Sequence, residues 1–193
     1  LSASPRIGGL VASRIAAPLA AALLATACSS GPAIDTGPLG NGGDPGGLCS
    51  FLAPGVVLSY GATLLENTGQ SAVVVQKVDL VQPRHLQLVA SYVVPTRGNF
   101  EVGVWDGFPP GPQPGVEWSQ RMRAAGARIP PAHGTHRADL LTVLKPTGPV
   151  AEAQAIDVFY REGGQQYHMQ THVRFVLLVG RHCPANWPLK YPG

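Results

Sequence analysis

The chain has 193 residues, a formal charge of +3, six histidines and three cysteines. Two of its basic residues, Arg6 and Arg14, fall in the first 27 positions. The remainder is nearly charge-balanced with no run of like charge, which excludes a basic stripe for nucleic acid. With 45% hydrophobic residues the chain has enough to bury, which excludes disorder along most of its length.

Arg6 and Arg14 precede an apolar run, Ile15–Ala27, interrupted by Pro18. That run is well short of the ~20 residues that span a bilayer. A basic start, a short apolar run and small residues at its end read as an export signal over residues 1–27, cut before Cys28. Leu24-Ala25-Thr26-Ala27-Cys28 resembles the lipobox of bacterial lipoproteins, whose usual pattern has Leu three places before the Cys. Here that place holds Ala25, and Leu24 lies one place further out. The resemblance implies a diacylglyceryl group on Cys28 and a lipid anchor on the outer face of the cell membrane. Ala25-Thr26-Ala27 also fits an ordinary A-x-A cleavage site, which would leave Cys28 unmodified. Leu1, not Met, stands first, as in a segment of a longer reading frame or an alternative start.

Ser29–Gly47 is mostly Gly, Pro, Ser and Asp, so residues 28–47 read as the anchored cysteine and a flexible tether. A tether of that length has an r.m.s. span of roughly 25 Å. Residues 48–193 are the size of one domain.

Within that domain the hydrophobic period is two. Val56–Leu65 is a strand candidate, and Asn67-Thr68-Gly69-Gln70 is a turn signal. In Ala72–Leu80, Val74, Val78 and Leu80 share one expected face and Lys77 and Asp79 the other. In His85–Val94, Leu86, Leu88, Ala90, Tyr92 and Val94 alternate with His85, Gln87 and Ser91. Phe100–Trp105 and Ala138–Leu144 alternate less cleanly. Ile156–Glu162 and Gln165–Val179 flank Gly163-Gly164, a favoured two-residue hairpin loop. Its register sets Tyr160 against Tyr167, Val158 against Met169 and Ile156 against Thr171. Ile156, Val158, Tyr160, Tyr167, Met169, Val173 and Phe175 should then face the core, and His168, His172 and Arg174 the other side. Six to eight short antiparallel strands without helical periodicity predict an all-β sandwich.

If Cys28 is acylated, Cys49 and Cys183 remain as a pair, one just before the first of these strands and one just after the last. A bridge between them would close nearly the whole domain, a constraint of roughly 5 kcal/mol on the unfolded chain. The alternative is two unpaired buried thiols. No C-x-x-C redox motif occurs.

Asn67-Thr68-Gly69 before Val73-Val74-Val75, then Leu80-Val81, Tyr92-Val93-Val94-Pro95 and Tyr160-Arg161-Glu162-Gly163-Gly164 resemble the immunoglobulin-like lipoproteins of high-GC Gram-positive bacteria. The resemblance covers about 110 residues and implies an antiparallel immunoglobulin-like β-sandwich outside the cytoplasm, without implying an activity.

The chemistry-bearing residues are few. Tyr167-His168-Met169-Gln170-Thr171-His172 superficially resembles the His/Met clusters of periplasmic copper proteins. On one strand His168 and His172 would lie about 13 Å apart, too far for one ion. His133 and His136 could converge in a loop, but Asp139 is the only acidic neighbour and zinc needs three or four ligands. G-x-S-x-G, H-E-x-x-H and Walker motifs are missing. Pro95–Thr135 is a long segment with little periodicity, carrying Trp105, Phe108 and Trp118 beside Pro109–Pro114. Long loops of this kind often bind partners, and exposed aromatics on them act as anchors. In the alternative, Trp105 is a buried strand end and the prolines stiffen a crossing. Arg121, Arg123 and Arg128 read equally as an anion-attracting edge or a solvated face.

These readings converge on a non-enzymatic, lipid-anchored extracytoplasmic module without a cofactor. It would bind or scaffold an envelope protein or glycan through Trp105, Phe108 and Trp118. The alternative is a copper- or zinc-binding protein using His133, His136, His168 and His172.

Overall fold

The computed structural model describes residues 37–41, 46–98, 100–132, 136–185 and 187. The expected signal, Cys28 and His133 lie outside the described residues, as does the side chain of His136.

In chain order the strands are β1 (Leu39–Asn41), β2 (Gly46–Leu52), β3 (Leu58–Asn67), β4 (Val73–Val81), β5 (Leu86–Arg97) and β6 (Gly103–Asp106). A 3-10 turn (Trp118–Gln120) leads to β7 (Met122–Arg123), β8 (Arg128–Ile129) and β9 (His136–Pro146). The last four are β10 (Val150–Ala153), β11 (Ala155–Glu162), β12 (Gln165–Gln170) and β13 (Val173–Val179). One sheet runs β1-β3-β9-β5-β7, with β6 also on β3; a second runs β12-β11-β4-β8 and a third β10-β13-β2.

The protein is an all-β sandwich. The two smaller sheets and the six-stranded sheet share one core, in which Leu58, Tyr60, Leu140 and Leu144 meet Val75, Ile156, Val158, Tyr160 and Phe175. The Tyr60 and Phe175 rings meet edge-on at 4.8 Å, joining the layers. Among the described residues all strand pairs are antiparallel except β2 with β13, which is parallel. That parallel pair departs from the purely antiparallel expectation: β2 lies at the edge of its sheet, beside the central strand β13.

The Gly163-Gly164 hairpin has the expected register: Tyr160 opposes Tyr167, Val158 opposes Met169 and Phe159 opposes His168. Gly163 sits at φ 58°, a left-handed conformation that glycine adopts without a Cβ clash. The expected continuous strand Gln165–Val179 is instead two, β12 and β13, which belong to different sheets. Thr171 makes the break. Its N–H donates to Ile156 O and its Oγ1 accepts from Ile156 N, both at 2.9 Å. The side chain thus replaces a ladder bond where the chain leaves β11.

Two other face assignments change along their strands. Tyr160 opposes Val75 and Phe159 opposes Lys77, leaving Gln76 as the extra residue of a bulge. Before it Val73 and Val75 face the core, and after it Val78 does. Val74 therefore lies off the core face expected for it. In β5, Leu88 opposes Leu144 and Ala90 opposes Val143, so Val89 is skipped. Leu86 and Val93 enter the main core while Val94 joins a second cluster on the opposite face of the sheet. A one-residue insertion exchanges the faces of everything beyond it.

The domain also begins earlier than expected. β1 lies inside the segment read as tether, with Leu39 3% exposed and its N–H donating to Tyr160 Oη at 3.2 Å. A Cβ on Gly37 would stand 2.2 Å from that same Oη, so glycine is what lets this segment lie against Tyr160. Cys49 consequently sits within β2 rather than before the first strand. Cys49 and Cys183 are disulfide-bonded, with Cα atoms 6.0 Å apart and a sequence separation of 134.

Candidate functional site

The outer face of the six-stranded sheet is not left to solvent. The segment from Phe100 to Gln120 folds back over it. Ser59 Oγ donates to Gly107 O at 2.6 Å, and Gly107 N donates to Val57 O at 2.7 Å. At the far end, Arg97 N donates to Gly115 O and Glu117 N to Pro95 O, both at 2.9 Å. An Arg97–Glu117 ion pair reinforces this end. Val102, Val116 and Trp118 of the segment pack with Tyr92, Val94 and Leu141 of the sheet. Gly61 makes the approach possible, since a Cβ there would come within 2.6 Å of Val102 Cβ.

Tyr92 faces this side because of the bulge at Val89. Its ring stacks on Phe108 with centroids 5.5 Å apart and lies 6.4 Å from Trp118, and Phe108 and Trp118 meet at 5.9 Å. Two guanidinium groups complete the cluster, Arg121 4.7 Å from the Trp118 ring and Arg123 4.8 Å from Tyr92. Each such contact contributes about 0.5–1 kcal/mol at an exposed site. Among the described residues no carboxylate forms an ion pair with Arg121 or Arg123. Arg121 does donate to Trp118 O at 3.1 Å.

Two of the three expected anchors, Phe108 and Trp118, are thus brought together. Trp105 is not with them. Its ring packs along Gly111 and its Nε1 donates to Val102 O at 2.7 Å, so it braces the covering segment while remaining 37% exposed. Period-two alternation alone places Tyr92 on the core face, and the structure places it on the outer one. The sign of the bulge was Val89 itself, an apolar residue at a position where the alternation called for a polar one.

Asp139, opposite Val94, is fully buried in β9. Its Oδ2 accepts from Val102 N, while its Oδ1 has no hydrogen-bond partner among the described residues. Burial pushes its pKa up to about 7, the Val102 N–H opposes the rise, and the Glu101 charge adds to it.

Among the described residues the histidines form no metal-binding cluster. His168 Nε2 lies 3.0 Å from Asp157 Oδ1 and its ring stacks 4.8 Å from Phe159. His172 is exposed where the chain crosses between sheets. Among the described residues there is no group of three or more His, Cys, Asp or Glu placed to hold a metal ion. No described helix is long and apolar enough to cross a membrane. No family model, curated protein or solved structure matches the chain.

Proposed function

We propose that this is a lipid-anchored, extracytoplasmic binding domain whose working surface is the Tyr92–Phe108–Trp118 cluster with Arg121 and Arg123. The observation that carries the reading is a partly exposed aromatic group flanked by two guanidinium groups that no carboxylate among the described residues pairs with. Tyr, Trp and Arg are the residues that dominate interface energetics when they cluster. The rings are engaged with one another and with arginine, which suits an acidic protein surface better than stacking against a sugar ring. The occupant we assign is therefore an envelope protein with an acidic patch. The Cys49–Cys183 bridge supports an oxidising compartment, and the residues around Cys28 support the anchor. The immunoglobulin-like subclass rests on the sequence resemblance.

A photo-crosslinking phenylalanine analogue at position 108, in cells expressing the full chain, tests the surface. It should give one dominant protein adduct that disappears in R121E/R123E, with none from the same analogue at Gln165 in the distant hairpin turn. Equal adducts from both positions, or none from position 108, would overturn the assignment. Mass spectrometry of the N-terminal peptide tests the anchor separately. A diacylglyceryl adduct on Cys28 is expected, and a free thiol on a secreted product would refute it.

A further inference from the structure

The sandwich has an opening at one end, and the opening leads into a cavity of about 500 Å³ between the layers. This size falls within the range of about 300–1,000 Å³ typical of small-molecule sites. It exists because the second sheet ends in a two-residue strand, β8, followed by Pro130 and Pro131, which have no N–H to extend the ladder. Asn67 holds the wall in place. Its Nδ2 donates to Ser71 O at 2.8 Å and to Ile129 O at 3.0 Å, and its backbone O accepts from Ala132 N at 2.7 Å. The cavity is therefore preformed.

Its lining has two characters. Leu65, Val93, Ile129 and Ala138 are buried and apolar, and Met122, 38% exposed, stands among the lining residues nearer to solvent. Arg97, Arg128 and Arg137 also contribute, against a single acid, Glu117. Glu117 is already committed to Arg97. Among the described residues, Arg128 and Arg137 have no carboxylate partner. An apolar interior with a surplus of guanidinium groups is complementary to a molecule with an apolar body and an anionic head.

We propose that this cavity binds a single-chain amphiphile bearing a carboxylate or phosphate head, with the chain among Leu65, Val93, Ile129 and Ala138 and the head at Arg128 and Arg137. The cavity adjoins the aromatic surface along the Glu117–Met122 segment but shares none of its five residues, so R128Q/R137Q and R121E/R123E test the two readings separately.

Calorimetric titration of the folded, disulfide-intact domain, below the micelle concentration of each probe, tests the idea. The probes are dodecanoate, dodecyl phosphate, dodecanol and inorganic phosphate. Dodecanoate or dodecyl phosphate should bind saturably at one site, about tenfold or more tighter than dodecanol, the equivalent of about 1.4 kcal/mol. Whichever of the two is tighter identifies the headgroup. R128Q/R137Q should reduce that binding to the dodecanol level and leave dodecanol unchanged. M122W, which places bulk near the opening without removing charge, should weaken every chain-bearing probe. Thermal melts establish that both variants fold. The proposal fails if dodecanol binds as tightly as the anions, if inorganic phosphate matches dodecyl phosphate, if R128Q/R137Q leaves affinity within about twofold, or if no probe binds saturably.

Discussion

The two faces of the six-stranded sheet are built on different terms. The inner face meets a second layer and buries mostly hydrocarbon: Leu58, Leu86, Val93, Leu140 and Leu144 belong to one core with residues of both smaller sheets. Thr63 is a buried polar exception there. Among the described residues the outer face is covered by a folded-back segment, with a small apolar cluster of Val94, Val102 and Leu141. It also retains Asp139 Oδ1 and Thr96 Oγ1 as buried atoms without described partners. The inner face sets whether the domain folds. The outer face carries charge and aromatic surface at a cost in stability, which fits the binding role proposed for it.

The sharpest way to test this division is to place a charge in each setting. Val158 is fully buried in the core opposite Met169. Val158→Asp puts an unpaired carboxylate there and should cost about 5 kcal/mol, enough to leave little folded protein. Circular dichroism and a thermal melt suffice to check it. Asp139 is the contrasting case, a carboxylate the fold already tolerates under the outer segment.

Asp139 makes a signed prediction for pH. Its folded pKa, about 7, lies above the usual 3.8. A raised pKa means the folded state holds the proton more tightly than the unfolded chain. The favourable contribution is complete below about pH 4 and is lost as pH rises through about 7. Between pH 5 and pH 8 the domain should lose about 3 kcal/mol through this group alone. Glu152 does not confuse that window. Hydrogen bonds from Arg84 and Arg174 lower its pKa, so its contribution is lost only at acid pH. Asp139→Asn keeps the acceptor for Val102 N and removes the charge. Urea melts at the two pH values should show the slope flattened in the variant. An unchanged slope would mean that Asp139 does not titrate in this range.

Aromatic truncation compares the faces at lower amplitude. Phe175 is fully buried against Tyr60, and Phe108 is 39% exposed against Tyr92 and Trp118. Phe175→Ala should cost about 4 kcal/mol and Phe108→Ala about 1 kcal/mol. Phe108→Ala should nevertheless abolish partner capture while Phe175→Ala should not do so selectively. Equal destabilisation would make the outer cluster part of the core, and the binding reading would lose its basis.

How much of this was legible in the sequence follows from where the chain repeats and where it does not. The β11–β12 hairpin was readable because the glycine turn and the apolar alternation specify the same register independently. The disulfide followed from three cysteines with one assigned elsewhere. Phe108 and Trp118 were visible as aromatics on a proline-rich loop. Tyr92 was legible in identity but not in direction, because period two has no memory of an inserted residue, and the bulge at Val89 exchanges the faces. The Gln76 bulge did the same to Val74. β1 was hidden because Gly37–Asn41 has the composition of a linker and becomes a strand only by pairing with β3. The arginine-lined cavity joins residues from Leu65 to Ala138 and has no local signature.

The smallest expected effect is the most diagnostic of the chain path between sheets. His172 is exposed, and its contribution is its backbone oxygen, which accepts from Gly46 N at 3.2 Å. Any residue supplies that oxygen. His172→Ala should therefore change stability by about 0.5 kcal/mol or less. Its neighbour Thr171 is 3% exposed, and its side chain takes the Ile156 N–H. Thr171→Ala strands that buried donor and should cost about 1–3 kcal/mol. Thermal melts of the two variants, one residue apart, thus read which side of the crossing faces inward. If His172→Ala proved the more damaging, or removed a measurable copper or zinc affinity, the crossing would be wrongly drawn and the histidines would return as candidate ligands.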